Sequence, residues 1–243
     1  MIIYSHNVTH RLKYMAGFLG HYLTGEPLTV TDNVIHYLDH PGPRINYSNE
    51  ALSQHEFWIK PQGLLHEKGI RQFSIECFDY NGHIAFFRTE GDFPFDILAA
   101  SFFLLSRYEE YLPHSKDTYG RYAHENSMAF REGFLNFPLI NIWLREFGRI
   151  LEEKIPSFTI RHLPAGRQGS PFIYIPTYDI DEAYSYKYKQ WWRSAGAAMK
   201  DILSGKWKRF RERRKVLNGE MPDPFDSYAW IDDLHRPFHI KPR

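Results

Sequence analysis

A single cysteine, Cys77, occurs in 243 residues, which forbids an intrachain disulfide and any zinc or iron–sulfur site built on several thiolates. No apolar run is long enough to cross a bilayer, the longest nearly unbroken one being Ile97 to Leu105. The start, Met1 to Leu23, is interrupted by His6, His10, Arg11 and Lys13, so it lacks the apolar centre of a signal peptide. There is no P-loop, no Gly-x-Gly-x-x-Gly and no Gly-x-Ser-x-Gly, which removes the commonest nucleotide-binding and serine-hydrolase readings. We therefore expect a cytoplasmic protein with no transmembrane segment.

Material for a core is plentiful, with 43% hydrophobic and 17% aromatic residues, far from the composition of disordered chains. The formal net charge is only +1, yet Lys187 to Lys215 holds eleven Lys and Arg against Asp201 and Glu212. At roughly 150 residues per domain, the length predicts one complete unit and part of a second.

Ile2 to Tyr4 has the pattern of a short strand, and Val8, Leu12, Met15, Leu19 and Tyr22 recur at helical spacing after a cap at Asn7 or Thr9. Short β-rich runs follow at Leu28 to Thr31, Val34 to Leu38, Arg44 to Tyr47, Phe57 to Ile59, Gln72 to Phe78 and Ile84 to Phe87, with Asn81-Gly82 as a hairpin signal. From Phe95 the period changes. Phe95, Leu98, Phe102, Leu105 and Leu112 make one helical stripe opened near Asp96 and ended by Pro113. Pro138 opens another with Leu139, Ile142, Trp143, Phe147, Ile150 and Leu151 on its face. Residues 1–162 thus predict an α/β domain with a mixed sheet. Residues 163–170, rich in Gly with one Pro, predict a linker.

The tract Pro171 to Tyr178 is apolar and ends in Asp179-Ile180-Asp181, as a strand buried on both faces does when it delivers acids to its carboxyl end. Alternate residues of an extended chain face one way, so Asp179 and Asp181 converge, and paired carboxylates anchor divalent cations. The plainer reading makes the two acids solvated caps of the helix that follows. Helices are predicted over Tyr188 to Ile202, around Trp207, Phe210 and Leu217, and from about Asp226 to His235. On the second of these, Lys206 to Lys215 packs seven cations into ten residues. Trp207 and Phe210 are expected to face inward and the cations to face water, with no specific nucleic-acid binding. Arg107 and Glu110 suit an intrahelical pair, and Cys77 suits a small buried hydrophobe. Three His-x-x-x-His spacings (His6/His10, His36/His40, His235/His239) occur among thirteen histidines, and none falls on a regular predicted helix.

Phe172 to Tyr184 resembles the first motif of polysaccharide deacetylases of the NodB-homology type, in which a strand ends in Thr-Phe-Asp-Asp. More widely, the chain resembles bacterial deacetylase-like proteins that begin with an α/β domain. The likeness rests on Pro94 to Leu112, on Thr177 to Tyr184, and on the Pro-Asp-Pro-Phe-Asp turn at Pro222 to Asp226. The resemblance implies the start of an incomplete (β/α) barrel over residues 171–243 and metal-assisted removal of acetyl groups from an oligosaccharide or polysaccharide. It also implies zinc as the metal, with Asp179 as general base and Asp181 as metal ligand. Ile180 separates two acids that are adjacent in the usual pattern. The family's later His-x-x-x-His-Pro element has no counterpart after Asp181; His36 to Pro41 fits the bare spacing but lies upstream. The chain alone is therefore expected to be inactive. A sugar-nucleotide transferase, which also uses Asp-x-Asp, and a non-catalytic interaction module remain alternatives. A dehalogenase-type phosphatase is disfavoured by Ala183.

Overall fold

Ile2 and Ile3 exclude solvent completely because the strand that carries them is covered on both faces. In the computed structural model, which describes residues 1–160 and 174–240, the chain divides into two units, residues 1–170 and 171–243. In the first unit, β1 (Ile2–Tyr4), β2 (Thr29–Thr31), β3 (Arg44–Asn46) and β4 (Phe57–Trp58) form a parallel sheet in the order β2-β1-β3-β4. Ile3 pairs with Val30 on one side and Ile45 on the other. The architecture is α/β, as expected. The four-stranded sheet is parallel throughout, however, and the antiparallel pairing lies in a separate hairpin of β5 (Cys77–Tyr80) and β6 (His83–Phe86).

The alternation of side chains along β1 splits its partners between two clusters. Ile3 enters the main core with Leu12, Met15, Leu19 and Leu23 of helix α1 (His10–Thr24). Ile2 and Tyr4 pack with Tyr37 and Leu52 in a smaller cluster. Tyr37 belongs to α2 (Val34–Leu38), which corrects the strand expected there. The Asn33 side chain accepts from the N–H groups of Ile35 and His36, both at 3.0 Å. That cap outweighs the β preference of Val34, Ile35 and Tyr37.

The hairpin forms where Asn81-Gly82 announces it, with both residues at positive φ (54° and 78°) as a type I′ turn requires. Residues 72–76 are irregular, so the ladder starts later than the sequence suggests. Helix α3 (Ile97–Leu105) is capped by Asp96, whose carboxylate accepts from Ala99 N–H at 2.9 Å. It stops short of the expected Leu112 because Arg107 takes a left-handed backbone (φ 51°), after which Tyr108–Tyr111 form a 3₁₀ turn. The Arg107–Glu110 pair is present across that turn. After α4 (Met128–Arg131), α5 (Leu139–Lys154) buries Leu139, Trp143, Leu144, Phe147 and Leu151. Trp143 and Phe147 close an aromatic core with Phe57, Phe86, Phe93 and Phe95, at centroid separations of 4.9–5.6 Å. Cys77 is half-buried, with Sγ 3.5 Å from Met128 Sδ, and burial pushes its thiol up to about 11.

In the second unit the described residues form α6 (Trp191–Leu203), α7 (Trp207–Leu217) and α8 (Tyr228–His235). Asp201 and Arg213 make a buried ion pair at 2.8 Å between α6 and α7. Arg213 and Val216 are the buried residues of α7. Trp207, expected inside, is 55% exposed, because the face that meets α6 is occupied by the ion pair. The expected linker, residues 163–170, lies outside the described residues.

Helix α1 offers a test of this packing. A Cβ at Gly20 would sit 2.4 Å from the Glu26 carbonyl oxygen and 2.5 Å from Leu28 N, whereas one at Gly17 meets nothing within 4 Å. Gly20→Ala should therefore destabilise the protein by about 1–3 kcal/mol through overpacking against backbone. Gly17→Ala should stabilise it by about 0.5–1 kcal/mol through helix propensity. Urea titrations of both variants check this; equal shifts of one sign would contradict the packing of α1 on the β2 approach.

Candidate functional site

The segment that carries Asp179 and Asp181 is irregular from Tyr174 to Ile180, which corrects the expected strand as far as residues 174–178; its start, 171–173, lies outside the described residues. Among the described residues the second unit holds no strand for it to pair with, and Pro176 brings no N–H to a ladder. What holds the segment is side-chain chemistry. The Tyr178 hydroxyl lies 2.5 Å from His235 Nε2, with the rings edge to face at 5.7 Å. Asp179, Ile180, Asp181 and Glu182 that follow are exposed. Asp179 and Asp181 make no ion pair or hydrogen bond among the described residues; Glu182 meets Lys189 at 3.6 Å.

Immediately downstream the backbone is clamped by Asp223. Its carboxylate accepts from the N–H groups of Ser185 (2.7 Å), Tyr186 (2.7 Å) and Lys187 (3.0 Å), and from its own turn through Phe225 (3.0 Å). Burial works to raise this carboxyl, but the four backbone donors outweigh it and bring it down to about 2. Asp223 was legible only as part of the Pro222 to Asp226 turn, and nothing in the spacing announced its role 36–38 residues away. The Pro222 to Asp226 turn thus grips the backbone at residues 185–187, just after the segment Thr177 to Tyr184.

The three His-x-x-x-His spacings fall on differing local structure. His235 is buried against Tyr178, and His239 follows a 3₁₀ turn with its backbone left-handed. His6 Nδ1 lies 2.9 Å from the Tyr4 hydroxyl while His10 is exposed at the start of α1. His36 lies on α2, with Nδ1 3.3 Å from Thr31 Oγ1, and His40 lies beyond the helix end. Among the described residues no group of three or more His, Cys, Asp or Glu is placed to hold a metal.

A second polar cluster, not foreseen, lies at the carboxyl edge of the parallel sheet, where chain order reverses between β1 and β3. Ser5 Oγ is 3.0 Å from His66 Nε2, and the His66 ring lies 5.4 Å from that of Tyr47. The Tyr47 hydroxyl donates to Asp96 at 2.7 Å. Burial, with a smaller contribution from His6, holds the His66 imidazole below its ordinary value. Burial also pushes Asp96 up to about 6 against the donors from Ala99, Gln62, Tyr47 and Leu98 that favour its charged form. Ser5 and Asp96 are completely buried, so this serine–imidazole pair closes the sheet edge and presents no open nucleophile. Residues this far apart in sequence carry no local signal of their meeting.

Residues 1–156, from β1 through α5, match the family of unknown function DUF7033, and the chain belongs to that family. No curated protein and no solved structure matches it. Among the described residues no helix is long and apolar enough to cross a membrane.

The Asp223 clamp has a measurable signature. A carboxyl held near 2 when folded and near 3.9 when unfolded contributes stability that is present above about pH 4 and lost as pH falls toward 2. Asp223→Asn should therefore weaken the protein at pH 6 and flatten the acid side of its stability profile. Urea unfolding between pH 2.5 and 6 reads this; an unchanged acid slope in the variant would contradict the clamp.

Proposed function

We propose that the chain is part of a carbohydrate deacetylase in which Asp179 and Asp181 provide the acidic pair. The reaction adds water across an acetyl–sugar amide or ester, releasing acetate and the free amine or hydroxyl. One observation carries the reading: the acidic pair stands open to solvent between two pinned points, Tyr178 against His235 and residues 185–187 against Asp223. Positioned carboxylates that are not spent on neighbouring cations are available to a substrate or a cation. Asp179 is the group assigned to accept a proton and Asp181 the one assigned to a metal.

A catalytic zinc takes three protein ligands, and the described residues bring no imidazole to the pair. They do not by themselves fit that metal. The alternative reading, a non-catalytic interaction module, is favoured by α6, where Trp191 and Leu203 are each 82% exposed.

Manganese broadening of amide resonances tests the pair in the chain as it stands. Low Mn²⁺ should broaden amides 179–182 first, at weak affinity, in line with a single carboxylate ligand at Asp181. Asp181→Asn should abolish the effect and Asp179→Asn should spare most of it. Uniform broadening, or a pattern unchanged in Asp181→Asn, would remove the basis for the assignment.

A further inference from the structure

Beside the acidic pair, the second unit contains a cleft of about 830 Å³ whose lining begins at Glu182 and includes Lys187, Lys189, Arg193, Arg209 and Arg213. Glu182 is the one carboxylate among its lining residues, and Lys189 already engages it. Arg213 is nearly all buried, its Nη2 bonded to Asp201, yet its Nε–H has no acceptor among the described residues. With Lys189 and Arg213 paired, Lys187, Arg193 and Arg209 still leave the cleft an excess of positive charge, which fits an anionic ligand.

The aromatic residues narrow the class. Tyr188 is 83% exposed and adopts a left-handed backbone (φ 56°), a conformation that costs any residue bearing a Cβ free energy. The Asp223 clamp holds the three residues before it, and its ring leans on Tyr184 at 4.7 Å. The two rings meet edge to face at 65°, and Tyr188, mostly in water, offers a flat apolar face beside a hydrogen-bonding hydroxyl. A pyranose ring, with one C–H face and a rim of hydroxyls, matches such a face.

We propose that this cleft binds an acidic glycan, one whose sugars carry carboxylate or phosphate groups, with Arg193 and Arg209 taking the charges and Tyr188 taking a ring. The choice of a sugar chain over other polyanions rests on the deacetylase reading, since the cleft's lining begins at Glu182, the residue after Asp181. It deepens that reading by naming the substrate class as charged.

Isothermal titration of the whole chain at physiological salt tests the inference with three sugar probes. They are a hexasaccharide alternating N-acetylglucosamine and glucuronate, a phosphorylated chitohexaose, and plain chitohexaose. One or both acidic probes should bind at least about tenfold tighter than the neutral one, as one or two charge-assisted contacts supply; whichever does so identifies the acid. The double variant Arg193→Gln/Arg209→Gln, both exposed residues, should erase the preference, and Tyr188→Ala should weaken all sugar binding. Equal affinity for chitohexaose, or a preference that survives the double variant, would overturn the proposal. So would equal or tighter binding of a single-stranded dodecanucleotide, in favour of nucleic acid. Because binding is read without turnover and should persist in Asp181→Asn, failure here is distinguishable from failure of the acidic-pair assignment.

Discussion

The buried carboxylate of Asp96 ties the parallel sheet to the helix that closes its core. It caps α3 through Ala99, receives the Tyr47 hydroxyl from the end of β3, and accepts from Gln62 N–H at 2.8 Å in the segment leading to His66. Three stretches distant in sequence therefore converge on two oxygen atoms. A buried acceptor left without its donors is costly, so the register of β3, the start of α3 and the course of residues 62–66 depend on one another. The same logic recurs at Glu56, which is buried and accepts from Tyr37 (2.8 Å), Asn46 (2.9 Å) and Leu52 (2.6 Å).

The second unit is organised by polar anchors to a greater degree. Tyr186, Val216 and Ile231 are buried there, while Trp191, Trp192, Met199 and Leu203 of α6 face outward. The Asp201–Arg213 pair joins α6 to α7, and Arg213 also lies over the Tyr186 ring at 4.9 Å. Asp223 then secures the loop that holds Tyr186. Buried ion pairs are seldom a large net source of stability, but losing one partner strands the other. In this unit such pairs fix where the tyrosine loop and the cationic cleft stand, which links local hydrogen bonding to the proposed glycan site.

Much of the first unit was legible in the sequence because its signals are local. The Ile2–Tyr4 strand, the Asn81-Gly82 hairpin and the apolar face of α5 follow from period and turn chemistry. The stretch from Val34 to Leu38 misled because the Asn33 cap, two bonds from one side-chain oxygen, outweighs β-branched composition. Arg107 ended α3 early through a left-handed backbone that no local pattern marked. In the second unit, Asp179 and Asp181 stood out by spacing, but their strand did not follow, since a strand needs a partner that the described residues do not supply. Asp223, the Ser5–His66 contact and the placement of Asp96 under Tyr47 depend on tertiary meetings, and single residues in loops do not announce them.

Hydrogen–deuterium exchange of the whole chain, with and without the alternating N-acetylglucosamine–glucuronate hexasaccharide, measures most directly whether a sugar chain lodges beside the acidic pair. The account predicts added protection confined to the second unit, over about residues 182–193 and around Arg209, with the amides of residues 1–156 unchanged. Protection confined to the first unit, or none at saturating ligand, would contradict it.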